Sequence, residues 1–97
     1  MTRSYLSIIG IFLSISIFAQ DNVTKSYEYF NEGIIFYKEK YFNTAIRYYT
    51  KAIDLNEEYP KAYYYRANCK LKLKEYDSAV KDFKLAIKYD EQFAKAH

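Results

Sequence analysis

Two stretches of this chain, Tyr29–Ile53 and Ala62–Ile87, carry the same pattern at a constant offset. Gly33 pairs with Ala67, Phe42 with Tyr76, Ala45 with Ala79, Tyr49 with Phe83, Ala52 with Ala86 and Ile53 with Ile87, each pair 34 residues apart. A recurring step of that length specifies a repeat architecture, in which each unit leaves an apolar face for its neighbour to cover. Apolar residues inside each unit recur at helical spacing. Neither strand alternation nor a Gly-rich turn interrupts them, so the fold class is all-α.

Taken in order, the pattern predicts four helices. The first spans about Ser26 to Glu39, with Tyr29, Phe30, Gly33, Ile34, Phe36 and Tyr37 on its apolar side. Asn43 stands where the N-cap of a second helix belongs, at about 43–55, with Ala45, Ile46, Tyr49, Ala52 and Ile53 as its stripe. Pro60 suits the first turn of a third helix, where its missing N–H is an orphan donor in any case. That helix runs to about Leu73. Asp77 repeats the capping role of Asn43, and Ala79, Val80, Phe83, Ala86 and Ile87 mark a fourth helix to about Tyr89. Residues 94–97 fall in the register of Pro60–Tyr63, so they read as the start of a third unit that the chain leaves unfinished.

With 97 residues the chain holds one small domain at most. Its 13 Tyr and 7 Phe, with no Trp, point to a core and a surface both rich in tyrosine. The net charge of +3 comes from basic residues interleaved with acidic ones, which is the signature of solvated helix faces rather than of a nucleic-acid footprint. Tyr63-Tyr64-Tyr65 makes no base-stacking platform, because consecutive helical residues point about 100° apart; the three must divide between core, groove and outside. Cys69 is the lone cysteine, which excludes an intrachain disulfide and a Cys-based zinc site and suits a buried structural thiol. The single His is the terminal residue, and Gly10 and Gly33 cannot build a phosphate loop. No catalytic, cofactor or metal constellation is expected.

The N-terminus has its own character. Arg3 precedes Leu6–Phe18, thirteen residues without a charge, and Ala19-Gln20 leads to Asp21. This pattern resembles a bacterial signal peptide cleaved near Ala19, giving an exported periplasmic or extracellular protein. The uncharged run is at the lower limit for a membrane span, so a retained anchor, with membrane contact through this segment, is the alternative. Residues 20–25 then read as a polar linker.

The small residue at the helix crossing (Gly33, Ala67), the aromatic before the second helix of each pair (Phe42, Tyr76) and the run Ala-x-x-x-aromatic-x-x-Ala (Ala45/Tyr49/Ala52 and Ala79/Phe83/Ala86) together resemble the tetratricopeptide repeat (TPR). The resemblance covers 26–59 and 60–93 as two repeats, with 94–97 the start of a third. The second is similar to the variant with Tyr63, Tyr64, Arg66, Ala67 and Lys70 in its first helix. Lys40 and Lys74 depart from the family's turn glycine, and Glu57 and Glu91 from its late proline.

The resemblance implies antiparallel hairpins stacked as a short right-handed solenoid. It also implies a non-enzymatic protein-interaction module, without cofactor, in which the first helices of each pair line a groove for a peptide or a partner helix. The implied groove residues are Tyr27, Phe30, Ile34, Tyr37 and Lys38 in the first repeat, and Lys61, Tyr64, Asn68, Leu71 and Lys72 in the second. Phe30 and Ile34 stand where relatives that clamp chaperone carboxylates need Lys and Asn, so a co-chaperone role is not implied. Two repeats leave Val80, Phe83 and Ile87 uncovered. That face suggests self-association or a partner, and the alternative is that the chain is the N-terminal piece of a larger exported scaffold or sensor.

Overall fold

A computed structural model describes the backbone from Thr2 to Ala96 and the side chains from Phe18 to Gln92. Four helices follow one another: α1 (Thr2–Lys38), α2 (Phe42–Leu55), α3 (Pro60–Lys72) and α4 (Tyr76–Ala96). Each packs on the next, α1 on α2, α2 on α3 and α3 on α4. The two hairpins α1/α2 and α3/α4 are the two 34-residue units, and no strand occurs among the described residues.

The core is sealed at the hairpin crossing. Ala45, Tyr49, Ala52, Ala62, Ala67, Cys69 and Ala79 have no exposed surface, and Ala86 and Ile53 are nearly as buried. Gly33 is required at its place, since a Cβ there would lie 2.5 Å from Cε1 of Tyr49. The aromatic partners of the crossing differ between repeats. Phe42 is half-buried against Tyr37, with ring centroids 5.8 Å apart, whereas Tyr76 is exposed and does not fill its crossing as Phe42 does.

Helix boundaries depart from the sequence reading at three places. The expected linker 20–25 is part of α1. Nothing there breaks a helix, and Lys25 Nζ lies 3.3 Å from the Asp21 carboxylate one turn earlier, a pairing that supports a helix face. Ser26, expected at a helix start, is fully buried mid-helix and donates to the Val23 carbonyl at 2.6 Å.

Neither Asn43 nor Asp77 caps a helix. α2 begins at Phe42 and α4 at Tyr76, because the preceding turn delivers the backbone of Tyr41 and Glu75 straight into the helix; their carbonyls accept from Ala45 and Ala79 at 2.9 and 3.0 Å.

The third departure is at 94–96, where α4 continues instead of turning into a new helix. The same repeat position after the first unit holds Pro60, which disfavours helix in Tyr59 and separates α3 from α2. After the second unit it holds Ala94, which imposes no such restriction.

The turns themselves match closely. Lys40 and Lys74 adopt φ of 66° and 65°. Lys40 N–H donates to the Tyr37 carbonyl and Tyr41 N–H to that of Phe36; Lys74 and Glu75 donate likewise to Leu71 and Lys70. These are paired Schellman caps with lysine where glycine is unstrained. Replacing both lysines by glycine is expected to raise stability by about 1 kcal/mol in total, left-handed strain relief outweighing the added chain entropy. Thermal unfolding followed by circular dichroism checks this; an unchanged or lower melting temperature counts against it.

The expected leader, 1–19, lies almost wholly outside the described side chains, and so does His97 at the other end. Among the described residues no helix is long and apolar enough to cross a membrane.

Candidate binding surfaces

The three consecutive tyrosines divide as helical geometry requires. Tyr63 is buried and stacks on Tyr89 at 5.6 Å. Tyr65 points between the repeats, within 5.6 Å of Phe30 and Tyr37 and 6.1 Å of Tyr49. Tyr64 is half-exposed and meets Phe83 edge-on at 5.8 Å.

The residues expected to line a groove differ in exposure. Phe30 is buried against Tyr59 and Tyr65. Ile34 and Asn68 are half-buried, while Tyr27, Lys38, Lys61, Tyr64, Leu71 and Lys72 are exposed. Tyr37, Lys38 and Lys72 come together with Lys40 and Phe42 around a pocket of about 430 Å³. Three lysines and two aromatic residues thus line one pocket near the C-terminal ends of α1 and α3. At the other end Lys61 and Tyr64 join Pro60, Ala86, Ile87 and Asp90 around an apolar pocket of about 240 Å³. Val80 and Ile87 are exposed and Phe83 is half-buried.

Asp82, nearly buried, organises a polar cluster that the sequence reading missed. Arg66 donates through Nε to Oδ2 and through Nη2 to Oδ1, both at 2.8 Å, and Lys70 Nζ meets Oδ2 at 2.8 Å. Arg66 Nη1 also donates to Thr50 Oγ1 at 3.2 Å, and Thr50 donates to the Ile46 carbonyl at 2.8 Å, so the cluster fastens α2, α3 and α4. Burial alone would raise the Asp82 carboxyl, but hydrogen bonds and charge from Arg66 and Lys70 hold it below its ordinary value. The repeat offset contained the clue. Phe36 and Tyr48, the counterparts of Lys70 and Asp82, stack in the first repeat at 5.2 Å with rings 12° from parallel.

The remaining titratable groups of the interior are inert. Cys69 is fully buried, and burial pushes its thiol up to about 12, so it holds no nucleophilic thiolate near neutrality. Tyr49 is raised by burial too, and its hydroxyl has no partner among the described residues.

Comparison with known proteins agrees with this geometry. The Arabidopsis thaliana protein "Hsp70-Hsp90 organizing protein 2" is 38% identical over 66 residues, a stretch that makes up 68% of this chain and 12% of that protein. Residues 26–59 and 60–93 each match a family model described as tetratricopeptide repeat. The matches tile the two hairpins without a gap, on the 34-residue step that sets Gly33 against Ala67, and this chain belongs to the tetratricopeptide repeat family.

Proposed function

We propose that this chain is a non-catalytic protein-interaction module that holds an acidic peptide segment between α1 and α3, and that it acts after export. The observation that carries this reading is the pocket of Tyr37, Lys38, Lys40, Phe42 and Lys72, which offers cationic groups to a carboxylate beside an aromatic floor. Kinship with a protein named as an organizer of Hsp70 and Hsp90 supports an interaction role. A chaperone-clamping role is not part of the reading, because Phe30 is buried and Ile34 is apolar where the clamp pattern needs Lys and Asn. Export rests on Arg3 and the uncharged run Leu6–Phe18, with cleavage after Ala19 leaving α1 to begin at Gln20. Intact mass of the mature protein from the producing cell tests that part.

The binding reading is tested by titrating a fluorescent peptide of alternating Glu and Leu residues with a free C-terminus. Reversing two exposed charges, Lys38→Glu with Lys72→Glu, is expected to weaken binding by about tenfold at low salt without moving the melting temperature. Binding should also weaken as salt rises. Equal affinity for the variant and the native chain would remove the pocket from consideration.

A further inference from the structure

Export with cleavage after Ala19 creates a reactive pair within Gln20: a free α-amine and, on the same residue, a side-chain amide whose carbon lies one five-membered ring away. Its neighbours lack that pair. Ala19 has no amide, and the shorter side chain of Asp21 reaches only a four-membered ring. Gln20 is exposed, as are Phe18, Ala19 and Asp21 beside it, and the first buried residue along the described side chains of α1 is Ser26. No packed side chain has to yield when the ring closes. The backbone that follows is already held, because Thr24 Oγ1 donates to the Gln20 carbonyl at 3.0 Å and Lys25 Nζ lies 3.3 Å from the Asp21 carboxylate. Neither contact uses the α-nitrogen or the side-chain amide of Gln20, so both survive closure.

We propose that Gln20 of the exported chain is converted to pyroglutamate, a neutral lactam that becomes the first residue of α1; this rests on the cleavage after Ala19 proposed above. The α-nitrogen attacks Cδ of the side-chain amide. The N–Cδ bond forms, the Cδ–Nε2 bond breaks, and Nε2 leaves as ammonia with one proton taken from the amine. Atoms balance within the one residue, and the step needs no oxidant, reductant or second substrate.

The helix gains from the change. In the intact chain α1 runs through the cleavage point, so losing 1–19 removes the carbonyls that accept from the N–H groups of the new first turn. That turn then carries the positive end of the helix dipole. A protonated α-amine places a like charge there and competes with Lys25 for Asp21, whereas the lactam carries no charge and leaves Asp21 to Lys25. The lactam ring is also the proline ring with one added oxygen. α3 shows proline in this role, since it begins at Pro60. Closure further removes the primary amine by which an aminopeptidase holds a chain end, so the start of α1 is protected once the leader is gone.

The test uses protein recovered from the exported fraction of the producing cell and digested after lysine. Its N-terminal peptide, residues 20–25, is weighed beside a synthetic peptide of the same sequence carried through the same digestion. The recovered peptide is expected to be lighter by one ammonia while the synthetic one stays largely open. Stepwise sequencing of the undigested chain should be blocked until pyroglutamyl peptidase removes the ring, and should then read from Asp21. Gln20→Ala should sequence directly from its first residue and show no such mass loss. A recovered 20–25 peptide no more closed than the synthetic control would overturn the proposal while leaving cleavage after Ala19 in place. A first peptide that begins at another residue, or that retains 1–19, would overturn both the lactam and the cleavage on which it rests.

Discussion

Asp82→Ala is expected to lower the melting temperature by about 15–30 °C at neutral pH, a loss of about 3–5 kcal/mol in a domain this small. Three donors converge on this carboxylate at 2.8 Å, and the side chains involved are nearly closed to water, Arg66 and Lys70 at 15% and 14% exposure and Asp82 at 4%. Removing the anion leaves two cations facing one another in a poorly hydrated space, which costs far more than the pair contributes when intact. Total stability for such a domain is about 5–15 kcal/mol, so the variant stands near the threshold of folding.

The same carboxylate dictates the response to acid. Its folded value is depressed and the unfolded value is about 3.9. Its stabilisation is therefore fully present above the unfolded value and is lost as pH falls through the folded one. The gap between native and variant melting temperatures should narrow across that acid range. A gap that is absent at pH 7, or constant down to the lowest pH at which the chain folds, would show that Asp82 does not hold the hairpins together.

Gly33→Leu is the second large effect, a destabilisation of about 1–3 kcal/mol from overpacking. A Cβ at Gly33 would approach Cε1, Cδ1 and Cζ of Tyr49 at 2.5, 2.8 and 3.1 Å. The ring is fully buried, with Phe30 at 5.6 Å and Tyr65 at 6.1 Å packed against it as a three-ring cluster, so it has little room to yield. Tyr49→Leu in the Gly33→Leu background should recover part of the loss, because it removes the obstructing ring, whereas Tyr49→Phe should not. A double-mutant cycle on melting data measures this coupling. Additive effects of Gly33→Leu and Tyr49→Leu would mean that the close approach is not what selects glycine.

Much of this crossing was legible in the residues. The 34-residue step set Gly33 beside Ala67 and gave both hairpins, because small residues and aromatics at fixed spacing are a packing requirement written along one chain. Lys40 and Lys74 were legible as occupants of the family's turn-glycine positions, where a left-handed backbone closes the helix. The Asp82 cluster was not foreseen. Its members sit on three helices, with Arg66 and Asp82 16 positions apart, and the repeat pattern that aligned everything else places aromatic Tyr48 at the position of Asp82. Polar residues from Asp21 to Lys25 were read as a linker because charge alone does not distinguish a loop from a solvated helix. The N-caps were misplaced at Asn43 and Asp77 because the turn geometry, rather than a side-chain acceptor, begins α2 and α4. As for the groove residues that the resemblance implied, it gave helix positions but not burial: Phe30 is buried, and Lys40, absent from the expected set, lines a pocket with Tyr37, Lys38 and Lys72.

The alternation of an aromatic stack in one hairpin with an ion pair in the other bears on how such a gene can be rearranged. A crossover between repeats at the turn inside a hairpin would join α1 to α4 or α3 to α2, and so set Phe36 against Asp82 or Lys70 against Tyr48. The first hybrid sets the Asp82 carboxylate against a ring that offers it no donor, and the second leaves Arg66 and Lys70 without their anion. A crossover between hairpins preserves both pairs. The cassette that can be duplicated, lost or shuffled without damage is therefore the whole hairpin, with its boundary at Pro60 and not at Lys40 or Lys74.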